Sequence, residues 1–164
     1  KANPKTTVAE TKAIENSSKI VLTPEGKIVS NNFKANKGKL PWPVSKGFIS
    51  LKYGDQPHPL QRSLTVHCSG VEITTEPGES ARAVFDGEVS RVQVISGNNI
   101  VVYIQHGDFY TVYQNLSSVS VSAGSKVSRM QSIGKVATRA GGTTLKFLIM
   151  QNTDLLNPES WISR

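Results

Sequence analysis

One cysteine, Cys68, stands in 164 residues. No internal disulfide can brace such a chain, and a lone thiol says little about redox compartment. No apolar run approaches the ~20 residues that a helix spanning a bilayer needs. The first ten residues, KANPKTTVAE, lack the apolar core of a signal peptide, so a targeting segment is expected to lie upstream or to have been removed. Residues 1–52 contain no arginine, and aromatics make up 7% of the chain. Lysines without arginine or interleaved aromatics make a poor nucleic-acid surface, and no nucleic-acid partner is expected. Beyond Gly38 no helical period of any length occurs, which leaves the β classes.

What is present is unevenly placed. Residues 1–52 carry ten lysines against Glu10, Glu15 and Glu25, a net charge of +7, whereas residues 53–164 balance nine basic against nine acidic side chains. The excess belongs to an N-terminal arm. Such an arm is a solvated tail or a contact for anionic lipid or acidic cell-wall polymer. Residues 1–22 are polar and without a sustained period, and read as flexible or weakly helical linker. The signals then sharpen in LTPEGKIVSNNFKANKG. Thr23 can cap, Pro24 suits a first helical position and Glu25 suits the N-terminal dipole. Ile28, Val29 and Phe33 form a narrow apolar stripe, and Gly38 is a stop. This predicts a short helix near 24–36, packed through Ile28, Val29 or Phe33 on the β domain C-terminal to it. The prolines of LPWPV then force extended chain, with Trp42 as an anchor. The expected organisation is a basic linker with a short helix over 1–39 and a β domain over 40–164.

From Gly47 onward, GFISLKYG, SLTVHCSG, VEITT, ARAVFDGEVSRVQVI, NNIVVYIQHG, FYTVYQNL and TTLKFLIMQN are short segments rich in β-branched and aromatic residues. Glycine, asparagine, aspartate or proline separates them, as strands require. SGNN (Ser96–Asn99) and HGDF (His106–Phe109) read as hairpin turns. In VSVSAGSKVSRMQSIGKVA the spacing of Gly124, Val127, Ile133 and Gly134 matches the turn-rich half of a barrel-sandwich hybrid, and EPGESARAVFDGEVSRVQV matches its other half. Lipoyl and biotinyl carriers share that architecture but present a lysine at a hairpin tip. Here those tips carry Asn, Gly and Asp, so a carrier domain is not expected. The fold class is all-β.

One cluster invites chemistry. HCSGVE, His67 through Glu72, puts an imidazole, a thiol and a carboxylate within six residues, the donor types of a zinc site. With YGDQPHP, GVEITTEPG, ARAVFDGEV, IQHG, TVYQNL and TLKF, in that order from Leu40 to Trp161, the chain resembles the LytM/lysostaphin-type zinc peptidases, which cleave peptide cross-links of bacterial cell walls. The resemblance implies a duplicated hybrid motif fold. Active members show H-x-G-x-D, Y-x-H-L and H-x-H-F. The first histidine, the aspartate and the last histidine bind zinc, and the other two histidines handle water and the transition state.

Carried over residue by residue, the first ligand position falls on Cys68 and the aspartate on Glu72. The Y-x-H-L histidine falls on Asn115, and the H-x-H pair falls on Thr144 and Lys146. Shifting the register by one residue would offer His67 in place of Cys68. Neither choice supplies a third ligand, since a lysine ammonium has no lone pair. The resemblance is therefore to the degenerate, EnvC-like branch of the family, whose non-catalytic domains activate N-acetylmuramoyl-L-alanine amidases in cell separation. It implies no enzyme activity, no metal and no cofactor. Cys68, Glu72, Asn115, Thr144 and Lys146, with His58 and His67 at the rim, are then a partner-binding groove. The expected partner is a cell-wall amidase or other peptidoglycan hydrolase, in the periplasm or outside the cell. A coiled coil is expected upstream of Lys1. The alternatives are an active zinc metallopeptidase with unusual ligands and a module that binds peptidoglycan directly. His106 is expected to be structural. With no metal to offset Glu72, its carboxylate is expected within about 4 Å of the Lys146 ammonium, and Cys68 is expected to be a partly buried thiol.

Overall fold

The computed structural model describes residues 23–58 and 60–163. The lysine-rich stretch read as linker, residues 1–22, lies outside them. The first element is helix α1, Pro24–Ala35. The Thr23 hydroxyl accepts a hydrogen bond from the Gly26 N–H at 3.0 Å, which satisfies a donor that the first turn leaves orphaned. Asn36 and Gly38, with φ +80°, end it. Phe33 carries the helix onto the rest of the molecule and is fully buried, whereas Ile28 is 61% exposed. Of the three apolar residues expected to pack, Phe33 is the anchor. It stacks on His106 with ring centroids 4.7 Å apart and meets Phe85, Phe109 and Trp161 at 5.6, 4.8 and 5.2 Å. Beside it the Ser30 hydroxyl donates to the Asp108 carboxylate.

The helix seats on the Gly107 turn. A Cβ on Gly107 would stand 2.5 Å from Ser30 Cβ and 2.6 Å from the Gly26 carbonyl oxygen, and its φ is +73°. Glycine meets both demands. The extended PWP segment comes next, and the Trp42 indole N–H donates to the Ser163 carbonyl at 2.6 Å.

Thirteen strands follow among the described residues. β1 (Phe48–Leu51), β4 (Val71–Thr75), β12 (Gly142–Gln151), β8 (Phe109–Val119), β7 (Asn99–His106), β6 (Gly87–Ser96) and β9 (Lys126–Val127) run side by side in that order. β10 (Ser132–Val136) joins β8 and β5 (Ser80–Arg82), while β11 (Thr138–Arg139) and β13 (Asp154–Leu156) flank β12. All these pairings are antiparallel. β2 (Gly54–Pro57) and β3 (Thr65–Cys68) form a separate hairpin. A 3₁₀ turn at Pro158–Ser160 precedes Trp161. Both expected hairpin turns occur, joining β6 to β7 and β7 to β8.

Alternation decides which side chains meet. Along β12, Thr143, Leu145 and Phe147 are buried while Thr144 and Lys146 are half-exposed. Along β4, Val71 and Ile73 are buried and Glu72 is half-exposed. The buried set joins Ala81, Val84, Val89, Ile104, Tyr113, Leu116 and Ile133 in one core. The opposite face of β12, β8 and β4 is free to carry polar groups.

Candidate functional site

Glu72, Lys146 and Gln114 occupy one row across three strands. Lys146 is the cross-strand partner of Glu72 on one side and of Gln114 on the other. Gly70 lets β4 enter this row closely, since a Cβ there would stand 2.2 Å from the Phe147 carbonyl oxygen. In a regular strand Asn115 would point away from Gln114. It does not, because its φ is +74° and the β7–β8 register slips there, between Ile100 and Val102. The kink is a bulge, and it turns two consecutive side chains onto one face. Together with Asn99, Arg139 and Thr144, these residues line an open cavity of about 250 Å³.

The kink is tied down. The Asn115 side-chain amide donates to the Thr144 carbonyl at 2.5 Å, and the Asn115 carbonyl accepts from the Ala137 N–H at 2.9 Å. Its Oδ1 accepts from Arg139 Nε at 2.8 Å, while Arg139 Nη2 donates to the Asn98 carbonyl at 2.6 Å. The guanidinium is thus held at the mouth of the cavity from two directions.

Four of the seven residues singled out in the sequence meet here: Glu72, Asn115, Thr144 and Lys146. The other three do not line this cavity. Cys68 is 1% exposed, more completely buried than expected. His67 pairs with Asp55 at 2.7 Å on the outer hairpin, with its side chain 63% exposed. His58 sits in the β2–β3 connection, where its Nδ1 accepts from the Leu60 N–H at 3.1 Å. Arg139, Asn99 and Gln114 were missed. The Gly-Gly pair after Arg139 marks a tight turn into β12, and that was the available signal.

The expected ion pair does not form. Glu72 and Lys146 are opposite in register, yet the ion pairs within 4.0 Å among the described residues are Lys46–Glu76 and His67–Asp55. The cause is solvent. Both side chains are half-exposed, so each charge keeps hydration, and an exposed pair contributes only ~0–1 kcal/mol.

A zinc site of the peptidase kind requires three protein donors and an open position. Among the described residues Glu72 is the one carboxylate lining the cavity, and Asn115, Thr144 and Lys146 offer no donor of the kind zinc selects. Among the described residues no three His, Cys, Asp or Glu side chains cluster. The donor set does not fit the metal.

At the other end of β7 and β8 the polar groups are closed and satisfied. His106 is fully buried. Its Nδ1 lies 2.7 Å from the Asp86 carbonyl and its Nε2 lies 2.8 Å from Thr111 Oγ1. A carbonyl only accepts, so the ring proton is on Nδ1 and Nε2 accepts from Thr111. The Tyr113 hydroxyl donates to Thr111 at 3.0 Å and accepts from the Val84 N–H at 3.0 Å. Burial pushes the His106 pKa down to about 4, against the opposing pull of the Asp86 carbonyl and charge. The same burial pushes the Tyr113 hydroxyl upward.

Comparison with known proteins agrees with this architecture. Residues 66–158 match the model of peptidase family M23. The chain is 32% identical over 133 residues to the murein hydrolase activator EnvC of Escherichia coli, covering 79% of this chain and 30% of EnvC. It is 33% identical over 95 residues to an uncharacterized protein of Neisseria meningitidis, covering 57% of this chain and 16% of that one. The chain thus spans under a third of either relative. The solved structure of Helicobacter pylori Csd3 superposes with a TM-score of 0.63 at 26% identity, covering 76% of this chain and 35% of Csd3.

Proposed function

The chain belongs to peptidase family M23, and on that premise we propose that it is a non-catalytic member whose groove binds and activates a cell-wall hydrolase of the amidase class in the bacterial envelope. The observation that carries this is the lining of the groove. Glu72, Asn115, Thr144 and Lys146 keep an open, polar cavity but bring one metal donor and no general base competent near neutrality. A hydrolytic water needs a third donor that this lining lacks, whereas a binding surface needs only the cavity. Likeness to a murein hydrolase activator supports the same reading. In it the β domain from about residue 40 is the partner-binding unit, residues 1–39 are a basic connection whose helix α1 packs on that unit through Phe33, and the partner is met outside the cytoplasm. Cys68, His67 and His58 lie outside the lining of this cavity.

The test is dye release from labelled peptidoglycan sacculi. The expected result is no release by the protein alone, with or without added zinc, and a severalfold rise when it is added to a purified N-acetylmuramoyl-L-alanine amidase. Release by the protein alone that a chelator abolishes would overturn the reading in favour of a zinc peptidase. Co-sedimentation with sacculi without any effect on the amidase would overturn it in favour of direct peptidoglycan binding.

A further inference from the structure

Resting on that reading of the groove as a partner site, we propose that the partner segment presents one carboxylate, from an aspartate or glutamate side chain, which is held between Arg139 and Lys146. Arg139 is fixed through Nε and Nη2 by Asn115 and Asn98. Its Nη1 has no partner among the described residues, and neither has the Lys146 ammonium. Both cations line one cavity. A guanidinium fork fixed in advance loses little freedom on binding, and an arginine carrying a free N–H suits a carboxylate oxygen.

The charge count selects the ligand. Arg139 and Lys146 with Glu72 leave the cavity at +1, so one monoanion brings it to neutrality while a dianionic phosphate overshoots. Asn99 and Gln114, which also line the cavity, offer amides to a peptide backbone. The β6–β7 hairpin, whose Asn98 carbonyl holds Arg139, exposes Val94 at 66% and Ile95 at 56%. Those aliphatic side chains suit the apolar residues of a protein segment better than a glycan strand. The occupant is therefore an acidic segment of a protein. The terminal carboxylate of a peptidoglycan stem is the competing source.

The probes are N-acetyl-glutamate-N-methylamide, its glutamine counterpart and muramyl pentapeptide, titrated into ¹⁵N-labelled protein. The Arg139 Nε–H and Asn115 side-chain signals are followed. The glutamate probe is expected to shift both signals saturably and the glutamine probe to leave them in place. Lys146→Met, Lys146→Gln and Arg139→Gln should each weaken the glutamate probe at least fivefold, with the rest of the spectrum unchanged. Equal shifts from both small probes, or unaltered affinity in every variant, would overturn the clamp. Tighter binding of the pentapeptide than of the glutamate probe would overturn the protein source. The amidase assay separates the two readings. Intact activation by Lys146→Met and Arg139→Gln discards the clamp and keeps the activator, whereas saturable glutamate shifts without any amidase activation keep the clamp and discard the activator.

Discussion

The two ends of the β7–β8 hairpin, one at its own turn and one beside β12 and β4, carry polar groups under opposite rules. At the turn end, His106, Thr111 and Tyr113 are buried and spend every polar group on one another and on backbone. At the groove end, Glu72 and Lys146 face each other in register and form no pair. Polar groups that are buried must be satisfied internally, since leaving one unmet costs about 1–3 kcal/mol. Charges left in solvent face no such demand, and their hydration can be exchanged for a ligand. Satisfaction marks the end that holds the fold together, and unpaired charge marks the end at which we propose that a partner binds.

That contrast is breakable. The largest effect is expected at the closed end. Phe33→Ala should cost about 3–5 kcal/mol, the range for removing a buried phenyl ring. The check is urea unfolding, together with groove amide signals that stay in place. Movement of the Asn115 or Thr144 signals would show that the two ends are not independent.

His106 sharpens the comparison through pH. Its pKa is lowered from 6.5 to about 4 in the folded protein, so the unfolded chain takes up a proton that the folded one refuses. Stability is complete above pH 6.5 and is lost as pH falls toward 4, by about 3 kcal/mol in all. Glu79, held below its ordinary 4.5 by the Ser45 hydroxyl, contributes its own loss only beneath that value. Unfolding free energies measured from pH 7.5 to 4.5 should therefore slope downward in the wild type and lie flat in His106→Gln.

A smaller effect is expected at the kink. Asn115→Ala removes a hydrogen bond to Thr144 and places alanine at φ +74°, a combined cost of about 1–3 kcal/mol. Asn115→Gly tolerates the backbone and should recover part of that stability. Neither restores the anchor of Arg139, so the glutamate probe should bind both weakly. Smallest of all, Lys146→Met should change stability by less than about 0.5 kcal/mol, because the ammonium has no partner among the described residues. A loss above 2 kcal/mol would mean that the groove is structural after all.

Much of this was legible in the sequence, for physical reasons. The all-β class came from strand-length apolar segments with turn residues between them, a local signal that tertiary packing had no cause to override. α1 came from Thr23, Pro24 and Glu25 in consecutive capping positions. Glu72, Asn115, Thr144 and Lys146 could be placed together through the resemblance to the LytM-type motifs, and period-two alternation is why Thr144 and Lys146 share a face. Arg139 could not. It reaches the groove through bonds to Asn115 and Asn98, residues distant in sequence and brought close by pairing. The kink at Asn115 was invisible for a related reason: asparagine tolerates positive φ but does not announce it. The ion pair failed because opposition in register sets the distance between Cα atoms and leaves open whether two long, hydrated side chains meet.

The seat of α1 also fixes a length. The helix begins against Gly107, at the turn end of β7 and β8, while Asn99 and Asn115 lie at the other. Eight residues of β7 at about 3.3 Å each put roughly 25 Å between the two ends. Any part of the chain before Thr23 that is to shut the groove must first travel that far back along the sheet, at least seven or eight residues if extended and about seventeen if helical. A cap on this groove is therefore a matter of reach. Any such stretch shorter than that length would fail to reach the groove, whatever the groove residues are.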